Sequence, residues 1–346
     1  MMFLLCNPRE LAAEQYAMLD VIPTHLAGQV YFISNYPCPP KKKDITHLPV
    51  KCITLRWVAL RGFLYPMWPY AAVRRDQTRN VLLIHDEIFS TTMLHALFAK
   101  LFCRSKVVIF CAENLKFSFL QTLLGRFFAR CIDSALCANR EAVTRAEQMG
   151  VKKAFVCPLP VSNTQVEVNY KESVKRIGFV GRLIHEKGID VLCEAMKHFP
   201  ELEFNIYGNG YLVPEIKQTQ FNYKGPFDYS SEALDKVFND IDVLVVPSLS
   251  VGWWKEQFGR VIVEAMDRGV IVIGSNSGAI PEVIGDEHLI FQENSAEAIV
   301  AKIKHLCSLK REEVLELSKA MKDRFEERFS KRVIREVIEA VVKGVR

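Results

Sequence analysis

The chain predicts an α/β fold of two domains, each built on a parallel sheet. Short β-like runs alternate with helical patterns from one end to the other. The 346 residues exceed one ordinary core, and fit two domains of roughly 150–180 residues each. One segment, Pro158–Lys171, suits neither helix nor strand, because Pro158, Pro160, Ser162, Asn163 and Thr164 crowd it. The boundary falls there, giving domains 1–162 and 163–330, with residues 331–346 left as a closing helix.

Each element follows from its pattern. In the first half, apolar runs of strand length are Met2–Cys6, Val30–Ser34, Val50–Leu55, Val81–His85, Val107–Cys111, Ser134–Ala138 and Ala154–Cys157. Helical patterns cover Ser90–Phe102, Phe117–Cys131 and Arg140–Met149. In the second half, strands are expected at Arg176–Val180, Glu203–Tyr207, Phe221–Lys224, Val243–Pro247, Val270–Gly274 and Leu289–Phe291. Helices are expected near Ile189–His198, Glu232–Asn239, Phe258–Arg268 and Ala296–Leu306. Asn294, with Glu297 three residues on, reads as a capping box opening the last of these. Arg311–Phe329 and Lys331–Gly344 complete the helices.

Composition narrows the function classes. With 49% hydrophobic and 25% charged residues, the chain can bury a core, so disorder is excluded. Its ten cysteines form no C-x-x-C pair and no zinc-spaced cluster, which points to a reducing compartment without disulfide framework or structural metal. Met1–Cys6 is too short for a secretory h-region. Trp57–Val73, the stretch nearest to a spanning helix, is broken by Arg61 and two prolines. A cytoplasmic protein is expected. The net charge of +5 is uneven: residues 1–165 carry 20 Lys/Arg against 11 Asp/Glu, and residues 166–346 carry 25 against 29. The basic half suits an anionic partner, either the inner face of a membrane or a phosphorylated acceptor; a merely solvated basic surface is the alternative. Trp57–Arg75, the helix Phe117–Cys131 with Arg126 and Arg130, and the run Lys41–Lys43 are the segments that could lie on an anionic bilayer. Ordinary packing with snorkelling arginines explains them equally well. The basic residues match no nucleic-acid-reading motif, so nucleic acid is not expected as a partner.

The chemistry concentrates where parallel sheets place it, beyond the carboxyl ends of strands. After Arg176–Val180 comes Gly181-Arg182-Leu-Ile-His-Glu-Lys187-Gly188, and after Glu203–Tyr207 comes Gly208-Asn209-Gly210. After Val243–Pro247 a long loop carries Lys255-Glu256-Gln257-Phe258-Gly259-Arg260 into a helix containing Glu264. Arg182 can fork onto phosphate oxygens, while Lys187 acts as a point charge. The helix start at Gly259 offers free N–H groups and the positive end of a dipole. If the whole stretch were helical, Glu256 and Glu264 would lie roughly 12 Å apart along the axis. That suits two anchors on an extended ligand better than a glycosidase pair, which stays under roughly 10 Å. Taken together, these features suit a nucleotide-linked sugar. The pair Asp240 and Asp242 is not expected to hold a metal, since it precedes a strand and so lies at the opposite edge.

Glu256-Gln-Phe-Gly-Arg-Val-Ile-Val-Glu264-Ala-Met, followed by Gly278-Ala-Ile-Pro-Glu-Val-Ile-Gly285, closely resembles the E-x7-E region of the family 4 retaining glycosyltransferases. Phe179-Val-Gly-Arg-Leu-Ile-His-Glu-Lys-Gly188 resembles their diphosphate-binding segment. The resemblance covers roughly residues 133–330. It implies a GT-B fold of two Rossmann-like domains facing a cleft, with the C-terminal domain holding the donor. It further implies that Arg182 and Lys187 hold the diphosphate, that Glu256 contacts the donor sugar and Glu264 the ribose, and that Gly208–Gly210 lie along the nucleotide. Gly181, Phe258 and Gly259 fall within the same donor-binding segments. Retention of configuration, no metal or other cofactor, and return of the final helix to the N-terminal domain also follow from the resemblance. More loosely, His85-Asp86-Glu87 and Ala112-Glu113-Asn114-Leu115 are similar to motifs ending the fourth and fifth strands of a subset of the family. His85 thereby becomes a candidate for touching sugar or acceptor. One departure is the loop Asn7–Leu11, which lacks the family's glycine pair. The function expected is transfer of a sugar from a UDP-, GDP- or ADP-linked donor to a glycan or lipid-linked acceptor. Phosphorylase or epimerase action on the same fold, and a non-catalytic nucleotide-sugar binder, are the alternatives.

Overall fold

The computed structural model describes residues 2–6, 12–26, 30–34, 45–49, 53–57, 60–64, 80–112, 118–252 and 254–344; for residues before 17 and for 26–64 the description is of backbone alone. The chain divides into two compact units, Met1–Pro160 with Lys331–Arg346, and Val161–Ser330.

The first unit runs β1 (Met2–Cys6), α1 (Ala12–Val21), β2 (Val30–Ser34), β3 (Ile45–Pro49), β4 (Ile53–Trp57), β5 (Leu60–Leu64), β6 (Val81–His85), α2 (Met93–Cys103), β7 (Lys106–Cys111), α3 (Phe119–Ala129), β8 (Ser134–Cys137), α4 (Arg140–Gln148) and β9 (Ala154–Val156). Seven strands form one parallel sheet in the order β3-β2-β1-β6-β7-β8-β9. Chain order reverses between β1 and β6, so the carboxyl end of β6, where His85 sits, borders a topological switch point. β6 and β7 are apolar along almost their whole length because both faces of the sheet are covered.

The second unit contains β10 (Arg176–Val180), α5 (Ile189–Met196), β11 (Glu203–Tyr207), α6 (Val213–Lys217), β12 (Asn222–Gly225), α7 (Ser231–Asn239), β13 (Val243–Val246), α8 (Arg260–Asp267), β14 (Ile271–Ser275), α9 (Ile280–Ile284), β15 (Ile290–Phe291), α10 (Ala296–Ser308) and α11 (Arg311–Arg328). Its parallel sheet has the order β12-β11-β10-β13-β14-β15, with the reversal between β10 and β13. The last helix, α12 (Lys331–Lys343), belongs to the first unit. Its Ile334, Val337, Ile338 and Val341 join Met18 and Val21 of α1, with Leu83 and Phe110, in the core on one face of that sheet. Lys331 Nζ lies 2.8 Å from Asp20 Oδ2, and Arg335 donates to the Asp20 carbonyl at 2.7 Å. The opposite face carries Met93, Ala96 and Ala99 of α2, Phe128 of α3 and Ala142 of α4.

Several expectations are corrected. The strand expected over Val50–Leu55 overlaps β4, which begins at Ile53, while β3, ending at Pro49, lies ahead of it and was not expected. β4 pairs antiparallel with β5, so the front of the Trp57–Arg75 segment is one arm of a hairpin. Residues 65–79 lie outside the described residues, as do Lys41–Lys43, Glu113–Leu115 and the loop Asn7–Leu11. The cap of α10 is Ser295, whose hydroxyl accepts from the Ala298 N–H at 3.1 Å; Asn294, at φ +57°, stands one residue outside. A serine oxygen already within reach of the third helical N–H takes the capping place from its neighbour. Asp242 precedes β13 and is bound at the amino-terminal edge, accepting from the Arg176 guanidinium at 2.6 Å and from the Lys175 and Arg176 N–H groups. Asp240 accepts from the Tyr207 hydroxyl at 2.7 Å. The D-x-D pair therefore ties β10 and β11 to β13.

Candidate functional site

At the switch point of the second unit, two strand ends and their loops meet. Beyond β10 the chain passes Gly181 and Arg182, makes a short 3-10 turn over His185–Lys187 and enters α5 through Gly188. Gly188 is required on two counts. Its φ is +66°, and a Cβ there would stand 2.0 Å from the Pro247 carbonyl oxygen. That close approach draws the Lys187 turn against the end of β13, a contact repeated by the Leu249 N–H donating to the Glu186 carbonyl at 2.9 Å.

The result is an ion pair that chain order alone does not reveal. Lys187 Nζ lies 2.5 Å from Glu256 Oε2, with side chains 19% and 10% exposed. The same carboxylate oxygen accepts from the Ser248 hydroxyl at 2.9 Å. Ser275, ending β14, donates its hydroxyl to the Ser248 carbonyl at 2.5 Å. The Glu256 backbone is held too, since its carbonyl accepts from the Ala279 N–H at 3.0 Å beneath Gly278. Glu256 is thus positioned from three strand ends, those of β10, β13 and β14. Burial pushes its carboxyl pKa up. The Lys187 charge, the hydrogen bonds from Lys187 and Ser248 and the field of Arg182 outweigh that, and the group stays below the ordinary carboxylate range. The Lys187 ammonium also stands 5.4 Å from the Trp254 ring centroid. Arg182 is exposed beside this cluster.

Gly208 and Gly210, expected to let backbone approach a ligand, answer first to a neighbouring loop. A Cβ on Gly208, at φ +139°, would stand 1.8 Å from the Gly181 carbonyl oxygen, and one on Gly210 would stand 2.2 Å from that of Leu183. The Gly181 N–H donates to Tyr207 and the Leu183 N–H to Asn209, at 3.0 and 2.9 Å. Asn209 itself is exposed.

The stretch between the two glutamates is only half helical. Glu256 lies in the loop, and α8 begins after Gly259, whose φ of +77° forms the helix cap without a side-chain partner. Glu264, in the second turn of α8, is 4% exposed, with Arg260 at 3.9 Å. Phe258 lies within the expected donor-binding segment. It is 2% exposed and packs edge-to-face on Phe329, so its ring belongs to the core. His85 lies in the other unit, its ring edge-on to Phe110 with centroids 5.2 Å apart. Beside it, burial raises the Asp86 carboxyl pKa, opposed by hydrogen bonds from Thr92, the Glu87 N–H and Ser90 and by the His85 charge. Ser248 escaped the sequence reading, whereas Ser275 opens the segment Ser275–Gly278 read after the strand Val270–Gly274. The signal of Ser248 was a polar residue directly after an apolar strand, a pattern too common to single it out. A cavity of about 540 Å³ lies elsewhere in this unit, between residues 164–171 and α7, and none of the strand-end residues above lines it.

Residues 162–328 match the family described as "Glycosyl transferases group 1". An uncharacterized glycosyltransferase of Methanocaldococcus jannaschii, MJ1178, is 26% identical over 199 residues, 54% of each chain. An uncharacterized 41.2 kDa protein in the cps region of Klebsiella pneumoniae is 38% identical over 120 residues, 34% of this chain and 31% of its own. The chain thus spans about half the length of the first relative and less of the second. Among solved structures, HepE of Anabaena in complex with UDP superposes with a TM-score of 0.75 at 14% identity, covering 99% of both chains. The chain has the GT-B fold of two α/β domains with parallel sheets, and its residues 162–328 match the group 1 glycosyl transferase family.

Proposed function

We propose that this protein transfers a glycosyl group from a nucleoside-diphosphate sugar to a glycan or lipid-linked acceptor, with retention of anomeric configuration. The observation that carries the proposal is the buried Lys187–Glu256 pair at the switch point, with the Arg182 guanidinium exposed beside it. A diphosphate needs fixed positive charge, and Arg182, Lys187 and the uncapped start of α8 supply it. Arg182 and Lys187 stabilise the charge that develops on the leaving phosphate as the glycosidic bond breaks. That phosphate oxygen takes the acceptor's proton on the face the diphosphate leaves. Glu256, held ionised by its neighbours, accepts hydrogen bonds from donor-sugar hydroxyls and orients the sugar without forming a bond to it. Glu264, in the second turn of α8, reaches the ribose. The resemblance of Glu256–Glu264 to the E-x7-E segment supports retention, and HepE, solved with UDP, makes uridine the first base to test.

The test is a thermal-shift screen of the full chain against UDP, GDP, ADP and their sugars, followed by turnover with whichever donor binds. A native-state ligand raises the melting temperature in proportion to its affinity. Arg182→Ala should weaken diphosphate binding about ten-fold, in keeping with a lost charge-assisted contact. Glu256→Gln should keep nucleotide binding and lower turnover on the order of 100-fold. If no nucleoside diphosphate shifts the melting temperature, or if Glu256→Gln turns over at the parent rate, the assignment is wrong.

A further inference from the structure

Seven of the twelve large apolar side chains left exposed among the described residues belong to two neighbouring helices, α2 and α3. Phe119 is 86% exposed, Leu101 66% and Phe102 60%, with Leu120, Leu123 and Phe127 between 43% and 55%. They recur at helical spacing. On α3 the outward stripe is Phe119/Leu120, Leu123, Phe127; on α2 it closes with Leu101/Phe102. The fold does not require them, because the inner faces are already filled by Met93, Ala96 and Ala99 and by Gly125, Phe128 and Ala129. A surface helix with an apolar outer face awaits something to cover it.

Charge says what. Neither 93–104 nor 118–131 contains a single Asp or Glu, whereas Lys100, Arg104, Arg126 and Arg130 lie among the apolar residues. The three arginines are exposed, and the Lys100 ammonium pairs with Asp133 just beyond α3. A second copy docked two-fold on this face would set Arg126 and Arg130 against their own kind with no carboxylate on the stripe to answer them. An anionic bilayer supplies both complements at once: acyl chains for phenylalanine and leucine, and headgroup phosphates for the arginines snorkelling at the rim. Among the described residues no helix is long and apolar enough to cross a membrane, so the contact is one of lying on the surface.

We infer that the α2–α3 face is a membrane-docking surface, seating Phe119, Leu120, Leu123, Phe127, Leu101 and Phe102 in the interface of an anionic lipid bilayer. The inference is independent of the transfer reaction, since docking is measured with neither donor nor acceptor present.

The test is co-sedimentation of the full chain with phosphatidylcholine vesicles with and without one quarter phosphatidylglycerol, at low and high salt. The chain should bind the anionic vesicles and release as salt rises. Arg126→Gln with Arg130→Gln should weaken that binding about five-fold per arginine. Phe119→Asp with Leu123→Asp should abolish it, while the melting temperature stays that of the parent, showing that the fold survives. Leu123→Trp should shift its emission to the blue on adding anionic vesicles. Equal binding by parent and Phe119→Asp/Leu123→Asp, an unshifted Leu123→Trp emission, or absence of vesicle binding would each overturn the inference. A concentration-dependent dimer that the same substitutions dissolve would assign the face to a second copy instead.

Discussion

Lys187 and Glu256 depend on each other. With Lys187 in place, the Glu256 carboxyl sits below its ordinary value of 4.5. Its stabilising contribution is complete above that value and is lost as pH falls through the lower folded pKa. Replacing Lys187 by Met leaves a carboxylate that is only 10% exposed without its nearest cation. Lys187→Met should therefore destabilise the second unit by about 3 kcal/mol at pH 7. The deficit should shrink towards pH 5, because protonating Glu256 then removes the stranded charge. Urea titrations of parent and variant at the two pH values check this, and an equal deficit at both would sink it. At this scale the charged residues could be picked out from the sequence, and the structure brings Lys187 and Glu256 together. Arg182, Lys187, Glu256 and Glu264 stood out through order and spacing, because cations and carboxylates beside glycines at strand ends are chemically legible. That the Phe258 ring lies in the core could not be read, since an aromatic ring reads the same in a site as in a core. Ser248 passed unseen, because its significance is a 2.9 Å bond to Glu256 across a loop.

Among the elements, α2 shows how burial sets chemistry. His95 is fully buried on its inner side, and burial alone pulls its pKa from 6.5 down to about 4. The unfolded chain therefore takes up the proton first. Stability is complete above pH 6.5 and falls as pH drops towards 4, by about 3 kcal/mol for this one group. His95→Leu should flatten the acid limb of unfolding between pH 6.5 and 4.5 relative to the parent, followed by circular dichroism in urea. An acid limb as steep in the variant as in the parent would refute the role. Helix spans were readable from their period, whereas the caps of α3 and α4 came only from the structure. α3 begins at the Ser118 cap, with Gln121 completing the capping box, and α4 begins at Asn139. The β4–β5 hairpin was not readable, because its pairing is antiparallel while the other strand pairs among the described residues are parallel, and neighbouring apolar runs do not declare their partners. α9, only five residues between Gly278 and Gly285, is too short to show a period.

Taken whole, the molecule is two units joined by a chain that returns. α12 follows the second unit in sequence yet packs in the first, placing Ile334, Val337, Ile338 and Val341 against α1 and the sheet. Burying four such side chains contributes on the order of 6 kcal/mol or more, comparable with the whole stability of a domain. A chain ending at Ser330 should therefore lose the first unit while keeping the second. Two melting transitions in the parent should become one, and residues 161–330 should persist under limited proteolysis. A truncated chain that melts like the parent would contradict this.

Alternating apolar runs, the order of strand-end residues and the E-x7-E stretch could be read directly from the chain, because they rest on contacts a few residues apart and on the period of helix and strand. The neighbours of each strand could not. The reversal between β10 and β13 places Lys187 beside Glu256, 69 residues later, and the same long-range packing decides that α12 returns to the first unit and that the apolar stripe of α3 faces outward. Those outcomes depend on which distant surfaces bury one another, and a periodic pattern marks a face as apolar without naming what will cover it.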